Sequence, residues 1–297
     1  MILLHSIFKA LFKPSLWSLF LRIMPYRREY NLSKDVTNKN FLRSFSSFIK
    51  IISRYNISKD PVLKRINVEN SFHLELDINE YTQCSYYFFP YAHFDLIEII
   101  KKGGHTFIDV GCNVGYFSIL GSKYFKNVIS FEPHPSTFEK LKKNISLNKF
   151  NNIKPLNLGL SKSKSVITLE ENPYNLGGSR LVKEIDLKSK IKNKKFQVET
   201  ISLDSILEEV GNKPTLLKID VEGFELEVLA GARQFINEIK PDIFIEIACS
   251  KKRLYEYMQT LPDGYFYFNK NQKYSFNDLK INEDIILGND AYLKYEK

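Results

Sequence analysis

Phe107-Ile108-Asp109-Val110 followed by Gly111-Cys112-Asn113-Val114-Gly115 is an apolar run that ends in an acid and a glycine turn, and a helical pattern opens at Tyr116 directly behind it. Strand, turn and helix in that order form the unit from which open α/β sheets build ligand clefts at their strand ends. Gly111 lets the backbone turn tightly, and Gly115 lets the next helix or a ligand approach closely. Outward from this unit, short β-branched or apolar runs at 106–110, 128–131, 153–157, 216–219 and 243–247 alternate with helical patterns at 116–124, 136–148, 224–237 and 251–260. The alternation predicts an α/β fold, a mostly parallel sheet with helices on both faces. A long insertion at 158–214, with strand patterns at 166–169 and 197–201 and a helix from Asp204, is expected near the strand ends.

Composition bounds the rest. In 297 residues, 43% are hydrophobic and 26% charged, with only 13 Gly and 11 Pro, which excludes global disorder and collagen-like repeats. Cys84, Cys112 and Cys249 are too few and too widely spaced for a disulfide framework or a CxxC metal site, so a reducing, cytoplasmic location is expected. The net charge of +9 is segregated: residues 1–60 hold eleven Lys and Arg against Glu29, Asp35 and Asp60, whereas the remainder is nearly neutral. A basic groove through the body, as a general nucleic-acid binder needs, is not supported.

Leu3, Leu4, Ile7, Phe8, Leu11 and Phe12 lie against Lys9 and Lys13 in a one-sided helical pattern that meets Pro14. Residues 1–60 are therefore read as a basic, amphipathic helical extension and connector, and 61–297 as the main domain, with its core motifs at 105–250. Lys9, Lys13 and Arg22 interrupt any membrane-spanning run, and Arg27 and Arg28 replace a signal cleavage site. Packing of residues 1–24 on the chain's own domain, contact with the inner face of a membrane and docking on a partner protein are the alternatives. Alternation in Phe72, Leu74, Leu76 and Ile78 predicts a strand of a hairpin with one wet face.

Two further motifs bring carboxylates to strand ends. Glu132, in Ile129-Ser130-Phe131-Glu132-Pro133, stands where a carboxylate accepts hydrogen bonds from two ribose hydroxyls. A dinucleotide fingerprint would have glycines where Asn113 and Tyr116 stand, so a pyrophosphate is poorly served. An acid at Asp109 suits a ligand with an ammonium group, such as S-adenosylmethionine. In Leu216-Leu217-Lys218-Ile219-Asp220-Val221-Glu222-Gly223, Asp220 and Glu222 are candidates for orienting a hydroxyl, removing its proton or sharing a divalent cation. Helix capping and an ion pair with Lys218 are the alternative. Glu246 is a weaker candidate for the same cleft. Among the histidines, His93 is a candidate catalytic group before the cofactor region, and His134 either packs near an adenine or caps the next helix.

In FIDVGCNVGYFS (107–118), SFEPHPSTFEKLKKNISLN (130–148), NLGLS, GGSRL, VETISLDSIL, LLKIDVEGFELEVLAGA (216–232) and PDIFIEI, the chain resembles the S-adenosylmethionine-dependent methyltransferases of the FkbM type over roughly residues 85–250. The resemblance implies a Rossmann-like class I methyltransferase fold. It also implies Asp109, Gly111, Asn113 and Gly115 around the methionine part of the cofactor, Glu132 on its ribose, and Asp220 and Glu222 facing the transferred methyl. The implied acceptor is a sugar hydroxyl of a carbohydrate or glycolipid. An RNA methyltransferase and a catalytically silent membrane scaffold are the competing readings; the near-neutral body argues against the first.

Overall fold

The computed structural model describes residues 61, 63–68, 72–88, 94–172, 176–182, 194–248, 250–269, 272–281 and 290–296. The extension at 1–60, His93, Cys249 and most of the lysine-rich stretch after 187 lie outside them. The chain forms two compact units, one with residues up to Phe94 plus Asn172–Gly177 and one with Asp95–Glu171 plus Gly178–Lys297.

In the first unit, β1 (Leu63–Val68) and β2 (Phe72–Asp77) pair antiparallel, from Leu63 opposite Asp77 to Val68 opposite Phe72. Phe72, Leu74 and Leu76 are buried while His73 is exposed, so this is the predicted hairpin with one wet face. Helix α1 (Tyr81–Phe88) is capped by Glu80, which accepts the N–H of Gln83 at 2.9 Å, while the Gln83 side chain accepts the N–H of Asp77 at 2.9 Å.

The second unit opens with helix α2 (Phe94–Lys101), whose first residue belongs to the other unit, and then alternates strand and helix. Its elements are β3 (Gly104–Val110), α3 (Tyr116–Gly121), β4 (Phe125–Phe131), α4 (Pro135–Ser146) and β5 (Ile153–Leu156), then the insertion with β6 (Gly159–Leu160), β7 (Ser165–Glu170), β8 (Arg180–Val182), β9 (Lys195–Ile201) and α5 (Leu207–Val210). There follow β10 (Thr215–Ile219), α6 (Glu225–Ala230), α7 (Arg233–Ile239), β11 (Asp242–Glu246), α8 (Lys251–Met258), β12 (Tyr265–Asn269), β13 (Gln272–Tyr274), α9 (Phe276–Ile281) and β14 (Asp290–Tyr295). The main sheet has the order β13-β12-β14-β11-β10-β3-β4-β5. Its strands from β5 to β11 are parallel, and β14 enters antiparallel between β11 and β12. Every residue of β10, and Thr106–Val110 of β3, is buried, which explains why these strands read as largely apolar runs in which Asp109 and Lys218 are the charged exceptions. Chain order reverses between β3 and β10, so the carboxyl ends of these two strands flank the switch point where α/β sheets bind ligands.

The structure departs from the sequence reading in two places. The predicted helix 224–237 is two helices, broken at Gly231, where a Cβ would stand 2.0 Å from the Ser161 carbonyl oxygen. Asp204 supplies the cap of the second, accepting the N–H of Phe235 at 2.8 Å. The strands after residue 247 were not predicted. In them, Ala291 and Leu293 are buried in β14, and the Tyr265 hydroxyl of β12 reaches the Pro241 carbonyl at 2.8 Å. The insertion forms its own sheet in the order β6-β9-β7-β8, starting just past the carboxyl end of β5 as expected. Among the described residues, no helix is long and apolar enough to cross a membrane.

Candidate functional site

The turn after β3 is built on left-handed backbone: φ is +74° at Gly111, +52° at Asn113 and +90° at Gly115. At Gly111 a side chain is sterically impossible, since its Cβ would stand 1.9 Å from the carbonyl oxygen of Asp220 in the turn after β10. The close approach predicted for Gly115 is made by helix α4, whose Leu141 would meet a Cβ there at 2.5 Å. Gly111 and Cys112 donate their N–H groups to Phe131, Asn113 to Glu132, Val114 to the Asn113 side chain and Gly115 to the Cys112 carbonyl. Each backbone N–H from 111 to 115 therefore has a partner within the protein, and none is left to receive a phosphate.

Glu132 is buried at the tip of β4, and each carboxylate oxygen accepts one backbone N–H, Asn113 at 2.9 Å and His134 at 2.8 Å. One carboxylate thus fixes the turn after β3 to the end of β4. Burial pushes its pKa up to about 7, against the pull of these two donors and the Lys218 charge, with Asp109 adding to the rise. The ring of His134 caps the next helix, one of the two places expected for it. Its Nδ1 accepts the N–H of Thr137 at 3.4 Å as the N-cap of α4, and its Nε2 meets Glu171 at 3.1 Å. Burial holds the imidazole below its usual value, with Glu171 opposing. The backbone N–H of His134 ties Glu132 to the start of this helix.

Asp109 is 0% exposed, and its oxygens meet the Ser118 hydroxyl at 2.7 Å and the Lys218 ammonium at 3.0 Å, so the carboxylate braces the turn from beneath. The parallel register sets Lys218 beside Asp109. The same ammonium reaches Asp220 at 3.6 Å and the Gly111 carbonyl at 3.2 Å. Cys112 is buried, and burial holds its thiol well above the ordinary value, which leaves it unreactive.

The turn after β10 presents the other carboxylates. Asp220 keeps 40% of its side chain exposed, and Glu222 is exposed, with a left-handed φ of +54° that is strained for a non-glycine residue. Although Glu222 reaches solvent, partial desolvation and then the carboxylates of Asp220 and Glu225 raise its pKa to about 7, with Arg253 opposing. Glu225 fastens this turn from below: it accepts the N–H of Gly223 at 2.9 Å and the hydroxyl of Tyr257 at 3.0 Å. The sequence reading did not single out Glu225, Tyr257 or Ser118. Lys218 carried a signal, a charge inside a strand otherwise apolar on both faces. Among the described residues, no cluster of three or more His, Cys, Asp and Glu side chains is placed to hold a metal ion.

The model of the FkbM methyltransferase domain matches residues 109–276. The hexuronic acid methyltransferase AglP of Haloferax volcanii is 36% identical over 133 residues, 44% of this chain and 51% of that protein. Methyltransferase sdnD of Sordaria araneosa is 31% identical over 169 residues, 47% of this chain and 64% of that protein. The chain thus spans between about half and two thirds of the length of these relatives. A crystal structure of methyltransferase FkbM from Methylobacillus flagellatus superposes with a TM-score of 0.40 at 17% identity, covering 65% of this chain and 44% of that one. With the family model matching more than half of its residues, the chain belongs to the FkbM methyltransferase family.

Proposed function

We propose that the protein is an S-adenosylmethionine-dependent O-methyltransferase whose acceptor is a sugar hydroxyl of a glycan or glycolipid. The observation that carries the reading is the turn 111–115, whose N–H groups are all engaged and which lies between carboxylates. Such a turn rejects a pyrophosphate and fits a cationic nucleoside. The 36% identity to a protein named for hexuronic acid supports the carbohydrate part.

The residues fit the cofactor in a definite way. Each Glu132 oxygen accepts one N–H and keeps a further lone pair, so the carboxylate would hold the two ribose hydroxyls, while the backbone of Gly111, Asn113 and Gly115 would line the methionine part. When bound, S-adenosylmethionine supplies a methyl group on a positively charged sulfur, already activated for displacement. The protein's task is then alignment and proton removal. A sugar hydroxyl is a poor nucleophile at neutral pH. Glu222, at about 7, is matched to accept its proton, and Asp220 beside it orients the hydroxyl. The basic residues of 1–60 would bring the enzyme to anionic membranes that carry lipid-linked acceptors.

The test incubates the full chain with labelled S-adenosylmethionine and extracts of cell-envelope glycans and lipids, then locates the label by mass spectrometry. Label on a sugar oxygen is expected. Label found only in RNA refutes the carbohydrate acceptor.

A further inference from the structure

A lysine ammonium 3% exposed in the centre of a sheet needs a reason, because removing a cation from water is costly unless anions and carbonyls surround it. Lys218 has such a shell, and the shell is drawn from both turns of the site. Asp109 at 3.0 Å and the carbonyls of Gly111 at 3.2 Å and Val110 at 3.5 Å belong to the end of β3 and its turn. Asp220 at 3.6 Å belongs to the turn after β10. The face of Phe117, on α3, lies 5.7 Å away. A purely structural counter-ion for Asp109 would not need contact with Asp220. The two turns also touch through their backbones, with the Asp220 N–H on the Val110 carbonyl at 3.2 Å and Gly111 packed against the Asp220 carbonyl.

We propose that Lys218 is the positioning residue that joins the two halves of the site, so that occupancy of the turn 111–115 and the placement of Asp220 are coupled through one buried ammonium. The inference rests on the functional reading above, since it takes the turn 111–115 as the cofactor side and Asp220 as the acceptor side. Lys218 itself touches neither ligand. Its charge also favours the ionised form of Glu132, which places a second cofactor-side carboxylate under the same influence.

The test needs no acceptor. Full-length protein labelled with ¹⁵N at lysine side chains is observed by NMR, where a buried, hydrogen-bonded ammonium exchanges slowly enough to be seen. The Lys218 signal is assigned by its loss in the paired variant Lys218→Met/Asp109→Asn, which removes both members of the closest ion pair together and leaves no unpaired charge at position 109. The signal is expected to move on saturation with S-adenosylhomocysteine and again in Asp220→Asn. The paired variant, folded by its remaining spectrum, is expected to bind S-adenosylhomocysteine about tenfold or more weakly by calorimetry. If the paired variant does not fold, the ligand and Asp220→Asn responses in the wild-type background decide alone. A Lys218 signal indifferent to both, or a folded paired variant with wild-type affinity, overturns the inference and leaves the functional reading standing. Wild-type protein that binds no S-adenosylhomocysteine overturns both.

Discussion

Glu132 and Glu222 are both raised to about 7, chiefly by desolvation, but Glu132 is buried whereas Glu222 reaches solvent beside Asp220 and Glu225, which makes them separable. Glu132 is buried and the folded protein holds a proton there that the unfolded chain releases. Its contribution to stability is therefore full below the ordinary glutamate value and is lost as pH rises towards 7. In ligand-free protein, Glu132→Gln should flatten the fall in stability between pH 5 and 7.5, by ~3 kcal/mol at most, as read from urea unfolding at the two pH values. An unchanged pH slope removes Glu132 as the source. Glu222 faces the open side, so its titration belongs in the rate: methyl transfer should rise through about pH 7 and lose that limb in Glu222→Gln, with a fall of about 100-fold or more. A variant that keeps the wild-type profile assigns proton removal elsewhere. Glu132 and Glu222 were legible in the sequence because each ends an apolar run. The burial of Asp109 was not, because its partner Lys218 lies more than a hundred residues away and only the register of β3 against β10 brings the two together.

At the scale of elements, the site is two turns held by short struts. Tyr257 on α8 donates to Glu225, which in turn accepts the N–H of Gly223, so the geometry of Glu222 depends on a side chain from α8. Tyr257→Phe leaves a buried carboxylate short of a donor and should lower stability by about 1–3 kcal/mol in thermal unfolding, with a larger proportional loss of activity than of cofactor binding. Gly111→Ala places a methyl 1.9 Å from the Asp220 carbonyl and forces the two turns apart. Its expected result is loss of S-adenosylhomocysteine binding in calorimetry even if the chain still folds; retained wild-type affinity would show that the turns tolerate separation. Parallel strands and the helices between them were readable because an apolar run or a 3.6-residue period is local. The break at Gly231 and the antiparallel entry of β14 were not, since each is decided by contacts with distant chain, the Ser161 carbonyl in one case and β11 and β12 in the other.

For the whole molecule, sheet order fixes where chemistry happens: reversal between β3 and β10 brings Asp109, Glu132 and Asp220 to one edge of the sheet from three separate stretches of chain. The presence of the insertion was legible from its strand patterns, whereas its order β6-β9-β7-β8 depends on pairing that no local pattern encodes. Charge is segregated on the same scale, with the excess in residues 1–60, so the full chain should sediment with vesicles containing anionic lipid and be released as salt rises. Equal binding to zwitterionic vesicles would contradict that role. The central claim concerns the ligand of the turn 111–115. Calorimetric titration of the full chain with S-adenosylhomocysteine, and separately with NAD, tests it most directly: saturable binding of the first that is lost in Glu132→Ala, with no heat from the second, is the expected result, whereas silence towards the first or binding of the dinucleotide would contradict the account.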